Sequence, residues 1–273
     1  MTNVKMKKPV RAVMAIAVLC MLPGLVQADS LGTVKLEFAG VNPHRHVETY
    51  YDGSYLGNLS TGQYIFRVDT DGGDATGEGI DVQQMALDNS SNPGYIGAFC
   101  SDLFQGAPGS TYWTTYDVEM PEHAPHDGNF STPYMTDAKA DDLRWLYNDR
   151  LASVVSDNTA AAFQLSVWEI IYETSADYSV SNQDGIFYTN SPTDVDAVAL
   201  ANAWLDDVEL QTGDAPDIRL RVLTDPCTQD YSMILPDPST PPVVPEPLTL
   251  LGVALGIGGL GGYIRKRFGA RVG

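Results

Sequence analysis

The stretch DNTAAAFQLSVWEIIYET, Asp157 to Thr174, carries the clearest helical periodicity in the chain. Wound at about 100° per residue, it gathers Ser166, Glu169 and Glu173 on a polar side and gives the remaining faces to Phe163, Leu165, Val167, Trp168, Ile170, Ile171 and Tyr172. So wide an apolar surface predicts a helix mostly buried in a core. Gln164 falls nearly opposite the polar side, on the stripe of Ala161, Leu165, Trp168, Ile171 and Tyr172. A buried amide left unpartnered costs about 1 to 3 kcal/mol, so Gln164 has either a specific partner or a specific chemistry. A hydrogen-bonded core glutamine is the common case.

Working outward, Leu143, Leu146, Tyr147 and Leu151 form an amphipathic stripe before this helix. After it, Thr193 to Asp196 reads as a capping box ahead of Ala201, Trp204, Leu205 and Val208. The first half instead alternates aromatic and branched residues between Gly, Asn and Asp clusters, which predicts strands at Thr33 to Phe38, Tyr64 to Asp69, Tyr95 to Phe104 and Trp113 to Val118. Short strands at Ile218 to Leu223 and Tyr231 to Leu235 return the chain to the sheet. The fold class is therefore α+β, with a β-rich first half and a helical second half in one exported domain, residues 29–236.

The ends differ from this body in charge. The chain has 16 basic and 35 acidic residues, a net of -19. Residues 1–28 hold four basic and no acidic groups, and 245–273 hold four basic and one acidic, leaving 8 basic and 34 acidic between them, a net of -26. That surplus argues against nucleic acid as a partner. With 44% hydrophobic residues, the body still has the apolar material for a core. Lys5, Lys7, Lys8 and Arg11 followed by an apolar run to Val26 and small Ala28 read as a signal peptide over 1–28, processed by signal peptidase. Cys20 follows bulky Leu19, which disfavours lipidation. Residues 237–244 are a Pro-rich linker.

Beyond it come Pro245-Glu246-Pro247, an uncharged Gly-rich span over 248–264, and a basic tail over 265–273 led by Arg265, Lys266 and Arg267. The span just reaches across a bilayer, with the tail cytoplasmic. These three parts in order resemble the PEP-CTERM sorting signal of Gram-negative bacteria. That resemblance implies recognition by exosortase, a transient inner-membrane anchor, and release to the cell surface or extracellular matrix.

Two cysteines remain after signal removal, Cys100 in the apolar GAFCSDLF and Cys227 in an Asp-Pro-Cys-Thr turn. In an oxidising compartment two cysteines default to a disulfide, though an apolar strand and a polar turn make an ill-matched pair. Phe99-Cys100 and Phe163-Gln164-Leu165-Ser166-Val167-Trp168 also resemble the two signatures of bacterial surface thioester domains. The resemblance implies that Cys100 and Gln164 form an internal thioester, with Phe99, Asp102, Phe163 and Trp168 around it. It departs from the family at Ser101, where a hydrophobic residue is usual, and at Phe163, where Thr is frequent.

Such a domain would attach once to an amine or hydroxyl on a surface or matrix polymer, and so would not be a turnover enzyme. The acidic body suits polyamines or Lys-rich partners, and equally suits plain solubility. The alternatives are a non-covalent matrix protein with a Cys100–Cys227 disulfide, or a secreted hydrolase.

No cofactor or metal site is expected. His44, His46, His123 and His126 sit in Pro-rich polar sequence without a zinc spacing, and Asp69 to Asp74 lacks the EF-hand acids. No GxSxG elbow or phosphate loop is present.

Overall fold

Strands β1 (Gly32–Tyr51) and β2 (Ser54–Val68) form one long antiparallel hairpin, turned at Asp52 and Gly53, both with positive φ. Glycine adopts that backbone readily, and Asp is among the few other residues that tolerate it. The computed structural model describes residues 30–70, 76–77, 80, 85, 94–123, 135–175 and 177–236. These lie within a compact unit spanning Met1–Pro238, and a second unit, Ser239–Gly273, is outside the described residues. So are the predicted signal peptide, Pro245, Glu246, Pro247, Arg265, Lys266 and Arg267.

After a two-residue β3 (Thr76–Gly77) come β4 (Tyr95–Cys100) and β5 (Trp113–Glu119). Helices α1 (Asp137–Arg150) and α2 (Asp157–Tyr172) follow, then β6 (Phe187–Thr189), α3 (Val195–Glu209), β7 (Leu220–Asp225) and β8 (Thr228–Ile234). This is the α+β arrangement the sequence predicts, with one feature beyond it. The strands run β2-β4-β8-β7-β5-β1, all antiparallel, and β1 also pairs with β2. The ring therefore closes into a six-stranded barrel, which removes the exposed edges of an open sheet.

Pairing fixes which residues face inward, because directly paired residues share a face. Val34 pairs with Tyr116, Val118 with Leu223, Leu223 with Tyr231, and Tyr231 with Cys100. The rings of Phe66 and Tyr231 meet at 4.7 Å and those of Phe66 and Tyr116 at 6.1 Å, across the interior from strands that are not neighbours. The alternate residues, Phe99, Ser232, Val222 and Glu119, face outward, where Tyr147 of α1 covers Ser232 with a 2.9 Å hydrogen bond to its carbonyl.

Helix α2 starts on a capping box between Ser156 and Thr159, and every residue from Ala160 to Tyr172 is buried. The expected polar side is thus no solvent face: Ser166, Glu169 and Glu173 are inside as well. Ser166 and Glu173 find partners there, and Glu169 finds one for a single carboxylate oxygen. Ser166 donates to the Ala162 carbonyl, Glu169 accepts from Ser179 N–H at 2.7 Å, and Glu173 accepts from Thr174, Ser175 and Ile186 N–H. Several predicted boundaries also move, furthest in the hairpin, whose strands run Gly32–Tyr51 and Ser54–Val68 rather than Thr33 to Phe38 and Tyr64 to Asp69. The strand through Tyr95 ends at Cys100 rather than Phe104, because Asp102 turns the chain by accepting Phe104 N–H at 2.7 Å. β7 and β8 each begin two or three residues from the predicted starts.

The capping box at 193–196 does not form: the N-cap is Asp194, and the Thr193 hydroxyl donates to the Asp194 carboxylate, which is also held by Arg45 Nε at 2.6 Å and by Ser191. His44 and His46 lie on β1 rather than in a loop, rings edge to face at 5.3 Å; His123 is in a 3-10 turn, and His126 lies outside the described residues. No helix among the described residues is long and apolar enough to cross a membrane.

Candidate functional site

Cys100 is the last residue of β4, at the point where α2 crosses the barrel wall. Its main chain no longer pairs with β2, whose contacts with β4 stop at Ala98. Gln164 takes the vacated place. Its Oε1 accepts Cys100 N–H at 2.8 Å and its Nε2 donates to the Cys100 carbonyl at 2.7 Å, so one carboxamide substitutes for a strand neighbour. Both residues have no solvent exposure. This answers the question posed by a glutamine on an apolar stripe, since the amide is fully paired and its partner is the predicted cysteine.

The sulfur has two contacts of its own. Cys100 Sγ–H donates to the Asp102 carbonyl at 2.9 Å, and Trp168 Nε1–H donates to the sulfur at 3.4 Å. Trp168 lies four residues after Gln164, one helical turn on, so α2 presents both groups to Cys100 from one stripe. Burial pushes the Cys100 thiol well above its ordinary pKa, and the Asp102 charge pushes the same way, while the Trp168 and Asp102 hydrogen bonds work against both. The thiol is therefore neutral at physiological pH.

Around this pair the walls are aromatic. Phe99 and Phe163 meet tilted at 4.4 Å, Tyr147 meets Phe163 edge-on at 4.9 Å, and Trp168 packs on Phe187 at 6.0 Å. Asp102 is buried, its Oδ1 capping the turn at Phe104 and Gln105. The structure thus brings Phe99, Cys100, Asp102, Phe163, Gln164 and Trp168 together.

Three further residues were not assigned to the site by sequence. Tyr172 donates to the Ser101 carbonyl at 3.2 Å and accepts Leu103 N–H at 3.0 Å, bracketing the turn after Cys100. Gln229 donates to the Asp102 carbonyl at 3.0 Å and accepts from Tyr231 at 3.1 Å. Ser101 Oγ is buried and has no hydrogen-bond partner among the described residues. The i, i+4 and i+8 spacing of Gln164, Trp168 and Tyr172 was a usable signal for Tyr172, whereas Gln229 had none, since its role depends on strand register.

Cys100 is a free thiol, which overturns the Cys100–Cys227 disulfide. Cys227 sits in the β7–β8 turn, its N–H on Asp225 Oδ1 at 2.9 Å, whereas Cys100 lies inside the wall. Among the described residues no three His, Cys, Asp or Glu side chains are grouped to hold a metal ion.

No family model matches the chain, and no curated protein matches it. Among solved structures it is similar to the N-terminal domain of the Streptococcus pyogenes pilus tip adhesin Cpa, at 15% identity over 79% of this chain and 97% of that one. The TM-score of 0.38 makes this a partial likeness.

Proposed function

We propose that Cys100 and Gln164 condense into an internal thioester, and that the chain is an exported surface or matrix protein which uses this bond once to attach covalently to a nucleophile. The observation that carries the reading is the two-point hydrogen bond between the Gln164 carboxamide and the Cys100 main chain. It fixes the electrophile on the residue that bears the nucleophile, so no search in space precedes reaction.

The geometry suits each stage. Sγ adds to Gln164 Cδ, charge grows on Oε1, and Cys100 N–H already donates to that atom; one such donor is worth about 2.7 to 4 kcal/mol. The thiol proton leaves with the Gln164 nitrogen as ammonia. In the reverse sense Trp168 Nε1–H stabilises the departing thiolate when a hydroxyl or amine attacks Cδ. Phe99, Phe163 and Trp168 exclude the water that would otherwise hydrolyse the bond. The protein is consumed in attachment and does not turn over.

The sorting signal supplies the address in this reading: signal peptidase removes 1–28, Pro245-Glu246-Pro247 is recognised by exosortase at the inner membrane, and the domain is released to the surface or matrix. Methylamine tests the site. The expected result is one methylamine adduct mapped to Gln164 with a newly alkylatable Cys100 in the same molecules; an unmodified Gln164 after prolonged treatment means a core amide in a non-covalent matrix protein.

A further inference from the structure

A cavity of about 530 Å³ opens on the outer wall of the barrel beside the proposed thioester, lined by Gln63, Met85, Tyr95, Phe99, Tyr147 and Met233 among others. The Phe99 ring is the partition. It lines the cavity, and its centroid lies 4.4 Å from that of Phe163, the chain neighbour of Gln164, with the two rings tilted by 45°. Among the described residues the lining carries no carboxylate and no ammonium group, and its amide is Gln63. That amide has a built seat. A Cβ on Gly97 would lie 2.2 Å from Gln63 Nε2 and 2.6 Å from its Cδ, so the absence of a side chain at Gly97 is what lets the carboxamide lie against β4.

Resting on the thioester reading, we propose that this cavity is the entry for the attacking group and that it selects an uncharged hydroxyl, as on a saccharide, over a cationic amine. The acidic body attracts cations at long range, but an ammonium ion entering here sheds its water without finding a counter-charge among the described lining residues, which is costly. A hydroxyl finds the Gln63 amide as a partner of either polarity. The hydroxyl oxygen adds to Gln164 Cδ, the Cδ–Sγ bond breaks, and the hydroxyl proton passes to the Cys100 thiolate. The products are an ester on Gln164 and a restored thiol, so atoms and charge balance.

The test uses the purified exported domain with methyl α-glucoside and putrescine at equal concentration and neutral pH, following adducts on Gln164 by mass. The glucoside adduct is expected to form faster in the wild type. Gln63→Leu, which keeps the volume, and Gly97→Ala, which displaces the carboxamide, are each expected to slow it by about tenfold, the rate equivalent of one lost hydrogen bond. In both variants the ammonia loss that marks thioester formation stays as in the wild type, which also reports that they fold. Faster putrescine addition, or glucoside rates unchanged in both variants, overturns the entry proposal alone. Absence of ammonia loss from the untreated wild type overturns the thioester reading and this one with it.

Discussion

Glu169→Gln should change how stability responds to pH. Glu169 is buried on α2 without solvent exposure, and desolvation raises its pKa from 4.5 to about 9. Its Oε1 accepts Ser179 N–H, while Oε2 has no hydrogen-bond partner among the described residues. A carboxyl held above its unfolded pKa keeps its proton in the fold when the unfolded chain has already lost it. Its contribution is thus fully present below pH 4.5 and is lost as pH rises towards about 9.

The slope is about 1.4 kcal/mol per pH unit, so between pH 4.5 and 7 the loss is on the order of 3 kcal/mol. Glutamine keeps the acceptor for Ser179 and does not ionise. Asp117 and Asp142 are raised in the same direction, so the informative quantity is the difference between wild type and variant. Urea unfolding of the exported domain across this range should show the variant gaining on the wild type as pH rises. Parallel stability curves over the window would refute a neutral buried Glu169.

Three other substitutions probe the site. Trp168→Phe keeps an aromatic wall but removes the donor to Cys100 Sγ; a hydrogen bond to a thiolate is worth about 1.5 to 3 kcal/mol, so aminolysis by methylamine should slow by about ten- to a hundredfold. Gln164→Leu removes the carboxamide partner of the buried Cys100 N–H and carbonyl and should destabilise the uncrosslinked domain by roughly 2 to 5 kcal/mol in urea unfolding. Ser101→Ala removes a buried hydroxyl with no hydrogen-bond partner and should be neutral or stabilising by about 1 kcal/mol, read as a shift in thermal midpoint.

Much of this site is legible in the chain because its parts are local. Gln164 and Trp168 share a stripe at helical spacing, and Phe99-Cys100 is set by strand alternation. What single-sequence periodicity misses is everything fixed by pairing between distant strands. Closure of the barrel depends on β1 pairing with both β2 and β5, and the place of Gln229 under the Asp102 carbonyl depends on β8 lying beside β4. The polar side assigned to α2 failed for a related reason. Ser166, Glu169 and Glu173 look solvent-facing on a helical wheel, but the segment 173–186 folds back and supplies N–H donors to both glutamates. The predicted cap at Thr193 failed because the helix starts one residue later, at an Asp194 N-cap, and the Thr193 hydroxyl donates to the Asp194 carboxylate, which Arg45, far away in sequence, also holds.

The central claim is the bond between Cys100 and Gln164, and the intact mass of the purified exported domain tests it most directly, measured under denaturing conditions beside a Cys100→Ala control. The account predicts a wild type lighter by one ammonia than its sequence requires and a control at full mass. A wild type at full sequence mass would contradict it, leaving Gln164 as the strand-mimicking amide that pairs with Cys100.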